Sequence, residues 1–128
     1  MPPNAPTAAA NPLRGRSLPT APTVLVVEDQ TLVRRAIERT LTRHHGLEVL
    51  AVGTASAALM ALPSNVRGAV IDCRLPDASG VDLAREIRVA APGARLLLIT
   101  GALTAEIERE AAAVGLPITH KLTLNASL

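Results

Sequence analysis

The sequence predicts an α/β fold, a doubly wound domain built on a five-stranded parallel sheet. From residue 23 onward, short apolar runs alternate with segments in which apolar residues recur at helical spacing. Continuous apolar runs are typical of strands that are buried on both faces of a parallel sheet. Strands that alternate with helices favour parallel pairing through crossover helices. The 128 residues of the chain suit one domain of this kind.

Five apolar runs predict the five strands. The first, Val24 to Val27, is β-branched apart from Leu25, and such residues favour a strand over a helix. The fourth contains four successive aliphatic residues at 96–99. The predicted strands span residues 24–27, 47–52, 68–73, 94–100 and 116–120.

Helical periodicity between these runs predicts four helices. The first has its apolar face at residues 33, 36, 37, 40 and 41, and Gly46 is placed to end it. Ser79 can cap the helix that begins at Gly80, which Pro92-Gly93 ends near residue 91. The other two helices are predicted over residues 54–62 and 104–114.

Residues 1–22 differ in composition from the rest of the chain. They hold six of the ten prolines, together with Ala, Thr, Asn and Ser. Such a segment buries too little apolar area to offset its ordering entropy. We predict a disordered or extended arm over residues 1–22 and one domain over residues 23–128.

Composition also narrows the function classes. The chain has no Phe, Trp or Tyr and no run of basic residues, so we expect no nucleic-acid binding. Cys73 is the only cysteine, which rules out an intramolecular disulfide and favours a reducing compartment. No segment is typical of a membrane span or a secretory signal, and we therefore expect a cytoplasmic location without membrane association.

Side chains that can bind ligands or take part in chemistry lie at or just beyond the carboxyl ends of the predicted strands. In an open parallel sheet the functional crevice lies beyond the carboxyl ends of the strands, so these side chains should converge. Clustered carboxylates repel one another unless a cation compensates them, and carboxylate oxygens suit a hard divalent ion such as Mg²⁺. The residues in these positions are Glu28, Asp29, Asp72, Thr100 and Lys121.

With these residues in place, the segment from Val24 to Lys121 resembles the receiver domain of two-component response regulators, which has a flavodoxin-like fold. The resemblance covers about three quarters of the chain. Residues 97–101, followed by residues 115–121, further look like receivers attached to hybrid histidine kinases. Four motifs carry the resemblance: the pair Glu28-Asp29, the run Asp72-Cys73-Arg74-Leu75-Pro76-Asp77-Ala78-Ser79-Gly80, the hydroxyl in Leu98-Ile99-Thr100-Gly101 and the lysine in Thr119-His120-Lys121.

The resemblance implies that Asp72 accepts a phosphoryl group from a phosphohistidine. The donor would be a histidine kinase or a phosphotransfer protein. Lys121 would then neutralise one phosphoryl oxygen, and Thr100 would donate a hydrogen bond to another. Phosphoryl transfer depends mainly on positioning and charge stabilisation, which agrees with these roles.

The resemblance also implies a Mg²⁺ site. Asp29, Asp72 and the backbone carbonyl of Arg74 would bind the ion directly, and Glu28 would act through a water molecule on the ion. Oxygen ligands of this kind are those that Mg²⁺ prefers.

The sequence departs from the family at two positions near Lys121. Leu122 stands where members usually carry a proline, and since a cis peptide before a residue other than proline is costly, we expect a trans bond and some displacement of Lys121. Ile118 occupies the usual aromatic switch position. No ring can therefore reorient there in response to Thr100.

Only seven residues follow Lys121, enough for about one turn of the family's last helix. We therefore expect a truncated last helix and a partly uncovered apolar face. A symmetric homodimer is the preferred way to cover it, and the arm over residues 1–22 is the alternative.

The function expected from these features is that of a phosphoacceptor module in a phosphorelay. It would act through protein partners and would not be an enzyme. The alternative is a degenerate receiver that serves as an interaction module without phosphorylation; the departures at Ile118 and Leu122 favour it, and the intact set of charged residues opposes it.

Several polar residues receive structural interpretations. Asp77 and Asp82 are assigned to a turn and a helix surface. His44, His45 and His120 lack the carboxylate or cysteine neighbours expected of a zinc site and are also assigned structural roles.

Overall fold

The computed structural model describes residues 23–127 of the chain. The arm predicted over residues 1–22 lies outside the described residues. Within them, strands and helices alternate as predicted. In chain order they are β1 (Thr23–Val27), α1 (Thr31–His45), β2 (Glu48–Val52), α2 (Ala55–Met60), β3 (Val66–Asp72), α3 (Gly80–Ala90), β4 (Arg95–Thr100), α4 (Ala105–Ala113), β5 (Ile118–His120) and α5 (Lys121–Ser127).

The five strands form one parallel sheet in the order β2-β1-β3-β4-β5. This is the doubly wound, flavodoxin-like arrangement that the sequence predicts. The chain leaves β1 in one direction to form β2 and returns to the other side to form β3, so the strand order reverses between β1 and β3. The crevice beyond their carboxyl ends is the place where this fold binds ligands.

Several element boundaries differ from the predicted ones for identifiable reasons. Strand β5 begins at Ile118 rather than at residue 116, because Pro117 has no amide hydrogen to donate to a neighbouring strand. Helix α2 ends at Met60, before Pro63, which cannot continue a helix. Strand β3 begins at Val66, which pairs with Thr23, two residues earlier than predicted.

Two apolar clusters cover the two faces of the sheet. Alternate residues of β1 point to opposite faces, as the period of a strand requires: Leu25 and Val27 belong to one cluster, and Val26 belongs to the other. Both clusters are built from aliphatic residues, alanine and one cysteine. Since the chain has no aromatic residue, the core depends on close packing of small and branched side chains.

Helix α5 covers part of the second face. Its Leu124 is buried in the cluster that contains Ile37 and Leu41 of α1. The helix spans seven residues, about two turns, and the predicted length of one turn was therefore wrong. Val49 and Leu97 on the same face are only half-buried. The homodimer that the sequence suggested for this face stays a prediction.

The helix ends carry the caps that the sequence suggested. Gly46 adopts φ 62° at the end of α1, a left-handed conformation that glycine adopts with little strain. The Ser79 side chain accepts a hydrogen bond from the Val81 amide at the start of α3. Among residues 23–127, no helix has both the length and the apolar character that crossing a bilayer requires.

Gly80 allows α3 to begin directly against the end of β3. A Cβ atom at this position would overlap the carbonyl oxygen of Asp72 and would lie 2.9 Å from the Cα of Cys73. The Gly80 amide donates to the Cys73 carbonyl over 2.9 Å. The close approach of the two backbones therefore requires glycine at this position. This approach fixes where Asp72 lies relative to the start of α3.

We predict that Gly80→Ala lowers the free energy of unfolding by more than about 2 kcal/mol, because the added methyl group must displace backbone rather than a flexible side chain. Urea unfolding measures this change. Gly93→Ala is the matched control, since a Cβ atom there meets no atom within 4 Å, and it should change stability by less than about 0.5 kcal/mol. Equal effects of the two substitutions would contradict the role of Gly80.

Candidate functional site

Three carboxylates meet at the carboxyl edge of the sheet, at the point where the strand order reverses. Glu28 and Asp29 directly follow β1, and Asp72 is the last residue of the adjacent strand β3. One carboxylate oxygen from each lies within 4.8 Å of the others. Glu28 and Asp72 are buried, whereas Asp29 is exposed. The parallel pairing of β1 with β3 is what brings these residues together.

The Lys121 ammonium lies between the two buried carboxylates. Its Nζ donates to Asp72 Oδ2 over 3.0 Å and to Glu28 Oε2 over 3.1 Å. Nζ is also 2.9 Å from Glu28 Oε1, and this ion pair is the contact of a buried oxygen that accepts no hydrogen bond among the described residues. We assign the hydrogen bond to Oε2 because its geometry satisfies both distance and direction, and we regard the Oε1 contact as ion pairing alone.

Burial and the hydrogen-bonded ion pair shift the pKa values of Glu28 and Lys121 in opposite directions. Burial raises the pKa of Glu28 above its ordinary value of 4.5, and this effect outweighs the opposing hydrogen bonds from Lys121 and the Gln30 amide. For Lys121, burial alone would lower the pKa. The hydrogen bonds to Glu28 and Asp72 overcome that effect, and the pKa of Lys121 is raised above 10.5. The lysine is therefore charged throughout the physiological pH range.

The loop after β3 holds the other side of Asp72. Asp72 Oδ1 accepts a hydrogen bond from the Arg74 amide over 3.1 Å, and the side chain is nearly inaccessible to solvent. The neighbouring Cys73 is buried as well. Burial, reinforced by the charge of Asp72, raises the pKa of the Cys73 thiol to about 11. This thiol is therefore protonated at neutral pH and poorly reactive.

Thr100 ends β4 at the same edge of the sheet, but its hydroxyl bonds within its own loop. The hydroxyl donates to the Ala102 carbonyl over 3.0 Å and accepts from the Ala102 amide over 3.1 Å. Thr100 is buried. The strand register thus places Thr100 one residue beyond Ile99, the β4 partner of Asp72, and its hydroxyl proton is bonded to Ala102.

Two residues that the sequence did not indicate support the Glu28 end of the cluster. The Gln30 amide donates to Glu28 Oε2 over 2.9 Å, and its side-chain oxygen accepts from Lys121 over 3.3 Å. Arg34 donates through Nη1 to the Glu28 backbone carbonyl over 2.8 Å. Nothing in the local pattern distinguishes Arg34 from the other arginines of α1, so its contact could be found only from the structure.

Asp77 has a role that the sequence did not reveal. Its carboxylate accepts hydrogen bonds from the amides of Ala55 and Ser56, both over 2.9 Å. These bonds cap the start of α2 and hold the pKa of Asp77 below its ordinary value of 3.8. The loop that follows Asp72 is thereby attached to α2, and Asp77 itself lies outside the carboxylate cluster.

The two positions that depart from the family pattern are Leu122 and Ile118. No peptide bond in residues 23–127 is cis, so the trans geometry expected between Lys121 and Leu122 is confirmed. Lys121 nevertheless reaches both buried carboxylates. Ile118 is half-buried and packs against the first apolar cluster.

The fold and this acidic crevice with its lysine define a class of phosphoacceptor signalling domains. Residues 24–117 match the sequence model of the response regulator receiver domain. Because the match covers more than half of the chain, the protein belongs to the response regulator receiver family. It is a receiver domain of the two-component type, a class that accepts a phosphoryl group on an aspartate.

Similar proteins agree with this assignment. TcrX, a probable transcriptional regulatory protein of Mycobacterium tuberculosis, is 34% identical over 79 residues. The aligned region is 61% of this chain and 33% of TcrX, so the chain spans about a third of the length of this relative.

Two solved receiver structures establish the shared fold. The CheY-like receiver domain from Methanospirillum hungatei superposes with a TM-score of 0.71 at 24% identity, covering 80% of this chain and 82% of the other. TrrA from Thermotoga maritima, solved in complex with Mg²⁺-BeF, gives a TM-score of 0.66 at 24% identity, with coverage of 77% and 85%.

We predict that Lys121→Met lowers the free energy of unfolding at pH 7 by at least about 2 kcal/mol, because Glu28 and Asp72 would then be buried without a compensating charge. The loss should be smaller at pH 4.5. Without the lysine, the pKa of Glu28 rises further, the folded state binds more protons than the unfolded state above pH 4.5, and stability falls as pH increases.

Urea unfolding at the two pH values tests this prediction. Arg85→Ala is the control, because the Arg85–Asp82 pair is exposed on both sides and spans 3.7 Å, and such pairs contribute little. A Lys121→Met variant as stable as the wild type at pH 7 would show that the ion pairs do not compensate the buried carboxylates.

Proposed function

We propose that Asp72 is the phosphoacceptor of this receiver and that Lys121 stabilises the charge that develops on the phosphoryl group. One observation carries the assignment: Asp72 accepts from the Lys121 ammonium through Oδ2 and from the Arg74 amide through Oδ1, and it lies in the same cluster as the acidic pair after β1. In the transfer, a carboxylate oxygen of Asp72 forms the bond to phosphorus while the bond from phosphorus to the donor breaks. Lys121 can offset the charge on the phosphoryl oxygens without moving far.

The other two acids of the cluster suit different tasks. Glu28 is fully buried, and its Oε2 already accepts from Gln30 and Lys121, which suits a residue that acts behind the other two carboxylates. Asp29 is exposed and directly follows Glu28. It lies where a ligand from solvent can reach it, which suits a residue that binds an ion.

The composition of the cluster fits a divalent cation. Three carboxylates face one ammonium, which leaves two negative charges, and Glu28 Oε1 is buried without a hydrogen bond. The chemistry of the donors, all oxygens, favours Mg²⁺. Asp29, Asp72 and the backbone carbonyl of Arg74 would hold the ion, with Glu28 behind them. When bound, Mg²⁺ supplies positive charge to the phosphoryl oxygens, and the Mg²⁺-BeF complex of TrrA supports this inference by analogy.

The partners we infer are a histidine kinase or a phosphotransfer protein that carries a phosphohistidine. The domain would act in the cytoplasm through protein contacts rather than by turning over a substrate. The contacts of Lys121 with both buried carboxylates argue for a working phosphorylation site and against a degenerate receiver. Attachment to a hybrid histidine kinase stays a prediction.

We predict that Asp72→Asn abolishes phosphorylation by acetyl phosphate in the presence of Mg²⁺, because the amide is a much weaker nucleophile than the carboxylate. Intact-protein mass spectrometry would show one added phosphoryl group on the wild type, stable to acid and labile to base, and none on the variant. Asp82→Asn is the control, since Asp82 is exposed on the surface of α3 and lies outside the cluster, and it should be labelled. Full labelling of Asp72→Asn would remove the assignment.

We predict that Asp29→Ala weakens Mg²⁺ binding by at least about tenfold, because loss of even an indirect partner of a metal site often costs that much. Isothermal titration with Mg²⁺ alone measures the affinity. Asp82→Ala removes an exposed acid from α3 and should leave the affinity unchanged. If the two substitutions have the same effect, Asp29 is not a ligand.

A further inference from the structure

His120 ends β5 beside the end of β4 and makes two hydrogen bonds through its ring. Its Cα pairs with that of Thr100 in the parallel register of the two strands. Nε2 lies 2.9 Å from the Gly101 carbonyl oxygen. Nδ1 lies 3.1 Å from the Leu122 amide. The ring therefore joins the loop after β4 to the first turn of α5.

The two contacts determine the tautomer of the ring. A backbone amide can only donate, so Nδ1 must accept from Leu122, and the single ring proton must lie on Nε2. Nε2 then donates to the Gly101 carbonyl, which can only accept. Both bonds are satisfied at once by the neutral ring with its proton on Nε2.

The Leu122 amide is available for this contact because the residue is not proline. Leu122 lies in the first turn of α5, where amides have no partner within the helix. The His120 side chain accepts from an amide two residues ahead, which is the geometry of an N-terminal cap. A proline at this position would have no hydrogen to donate, and the Gly101 carbonyl alone would then favour the tautomer with its proton on Nε2.

The Gly101 carbonyl, which accepts from His120, belongs to the same loop as Ala102, whose backbone bonds to the Thr100 hydroxyl. Gly101 lies between Thr100 and Ala102, and both hydroxyl bonds of Thr100 go to Ala102. A hydroxyl has one proton. While it donates to the Ala102 carbonyl, Thr100 cannot donate to a phosphoryl oxygen on Asp72. Before Thr100 can act, its bond to the Ala102 carbonyl must break, and movement of this loop breaks it.

We propose that His120 is a positioning residue that restrains this movement. By holding Gly101 to the start of α5, it favours the loop conformation in which Ala102 occupies the Thr100 hydroxyl. Release of Gly101 frees the hydroxyl for the phosphoryl group and favours the phosphorylated form. This inference rests on the proposed roles of Asp72 and Thr100.

Two substitutions of His120 each keep one of the two hydrogen bonds of the ring and remove the other. His120→Asn keeps an acceptor near the position of Nδ1, and asparagine is a good N-terminal cap, but its side chain is too short to reach Gly101. His120→Gln places an amide nitrogen near the position of Nε2 and keeps a donor for Gly101. Helix capping and loop restraint can therefore be tested separately in variants that are both expected to fold.

The first measurement needs no phosphorylation. Hydrogen exchange of the Ala102 amide, which donates to Thr100, is followed by NMR in the unphosphorylated protein. We expect exchange to be roughly two- to tenfold faster in His120→Asn, the range that loss of one hydrogen bond gives, and close to wild type in His120→Gln. Unchanged exchange in His120→Asn, or an equal change in both variants, would overturn the proposal.

The second measurement is the initial rate of labelling by acetyl phosphate with Mg²⁺. We expect the labelling rate of His120→Asn to exceed that of the wild type by a factor similar to the increase in exchange rate. The same substitution in a Thr100→Val protein should leave the labelling rate unchanged, because the effect acts through the Thr100 hydroxyl. A change in the Thr100→Val protein as large as in the parent would overturn the proposal, since a purely structural effect would persist there. Labelling of Asp72→Asn would instead reject the proposed function and leave the Ala102 exchange result to judge the restraint alone.

Discussion

The ion pairing of one ammonium with two buried carboxylates is the interaction on which the functional edge of this protein depends. Glu28 directly follows β1 and Asp72 ends the adjacent strand β3, both with almost no access to water, and Lys121 reaches both from the far end of the chain. Buried charges are tolerated only when they are paired and hydrogen-bonded. In the proposed function, the same cluster offers Asp72 as the carboxylate and Lys121 as the cation for a phosphoryl group.

Three contacts with the backbone around the cluster maintain this arrangement. Gly80 lets α3 begin against the carbonyl of Asp72, and Arg34 holds the carbonyl of Glu28. Asp77 ties the loop after β3 to α2. Each contact restrains the end of a strand or a loop, so the positions of the charged groups follow from the sheet register and from the loops that continue it.

Sequence reasoning identified the fold and the residues at the strand ends because both follow from periodic patterns. Apolar runs such as Val24 to Val27 determine the strands, and parallel pairing then places their carboxyl ends side by side. The pattern could not show that the Thr100 hydroxyl bonds to Ala102, or that His120 reaches Gly101. These contacts depend on rotamers and loop conformations between residues that no periodicity relates, and the cap that Asp77 provides for α2 was missed for the same reason.

A double-mutant cycle between Glu28 and Lys121 tests the central claim most directly. The free energy of unfolding at pH 7 is measured for the wild type, Glu28→Gln, Lys121→Met and the double variant. If Lys121 compensates the buried carboxylates, Glu28→Gln should change the free energy of unfolding more favourably in the Lys121→Met protein than in the wild type. The difference between the two changes, the coupling energy, should be about 1–3 kcal/mol. Equal effects of Glu28→Gln in the two backgrounds would show that the two charges do not depend on each other and would contradict the account.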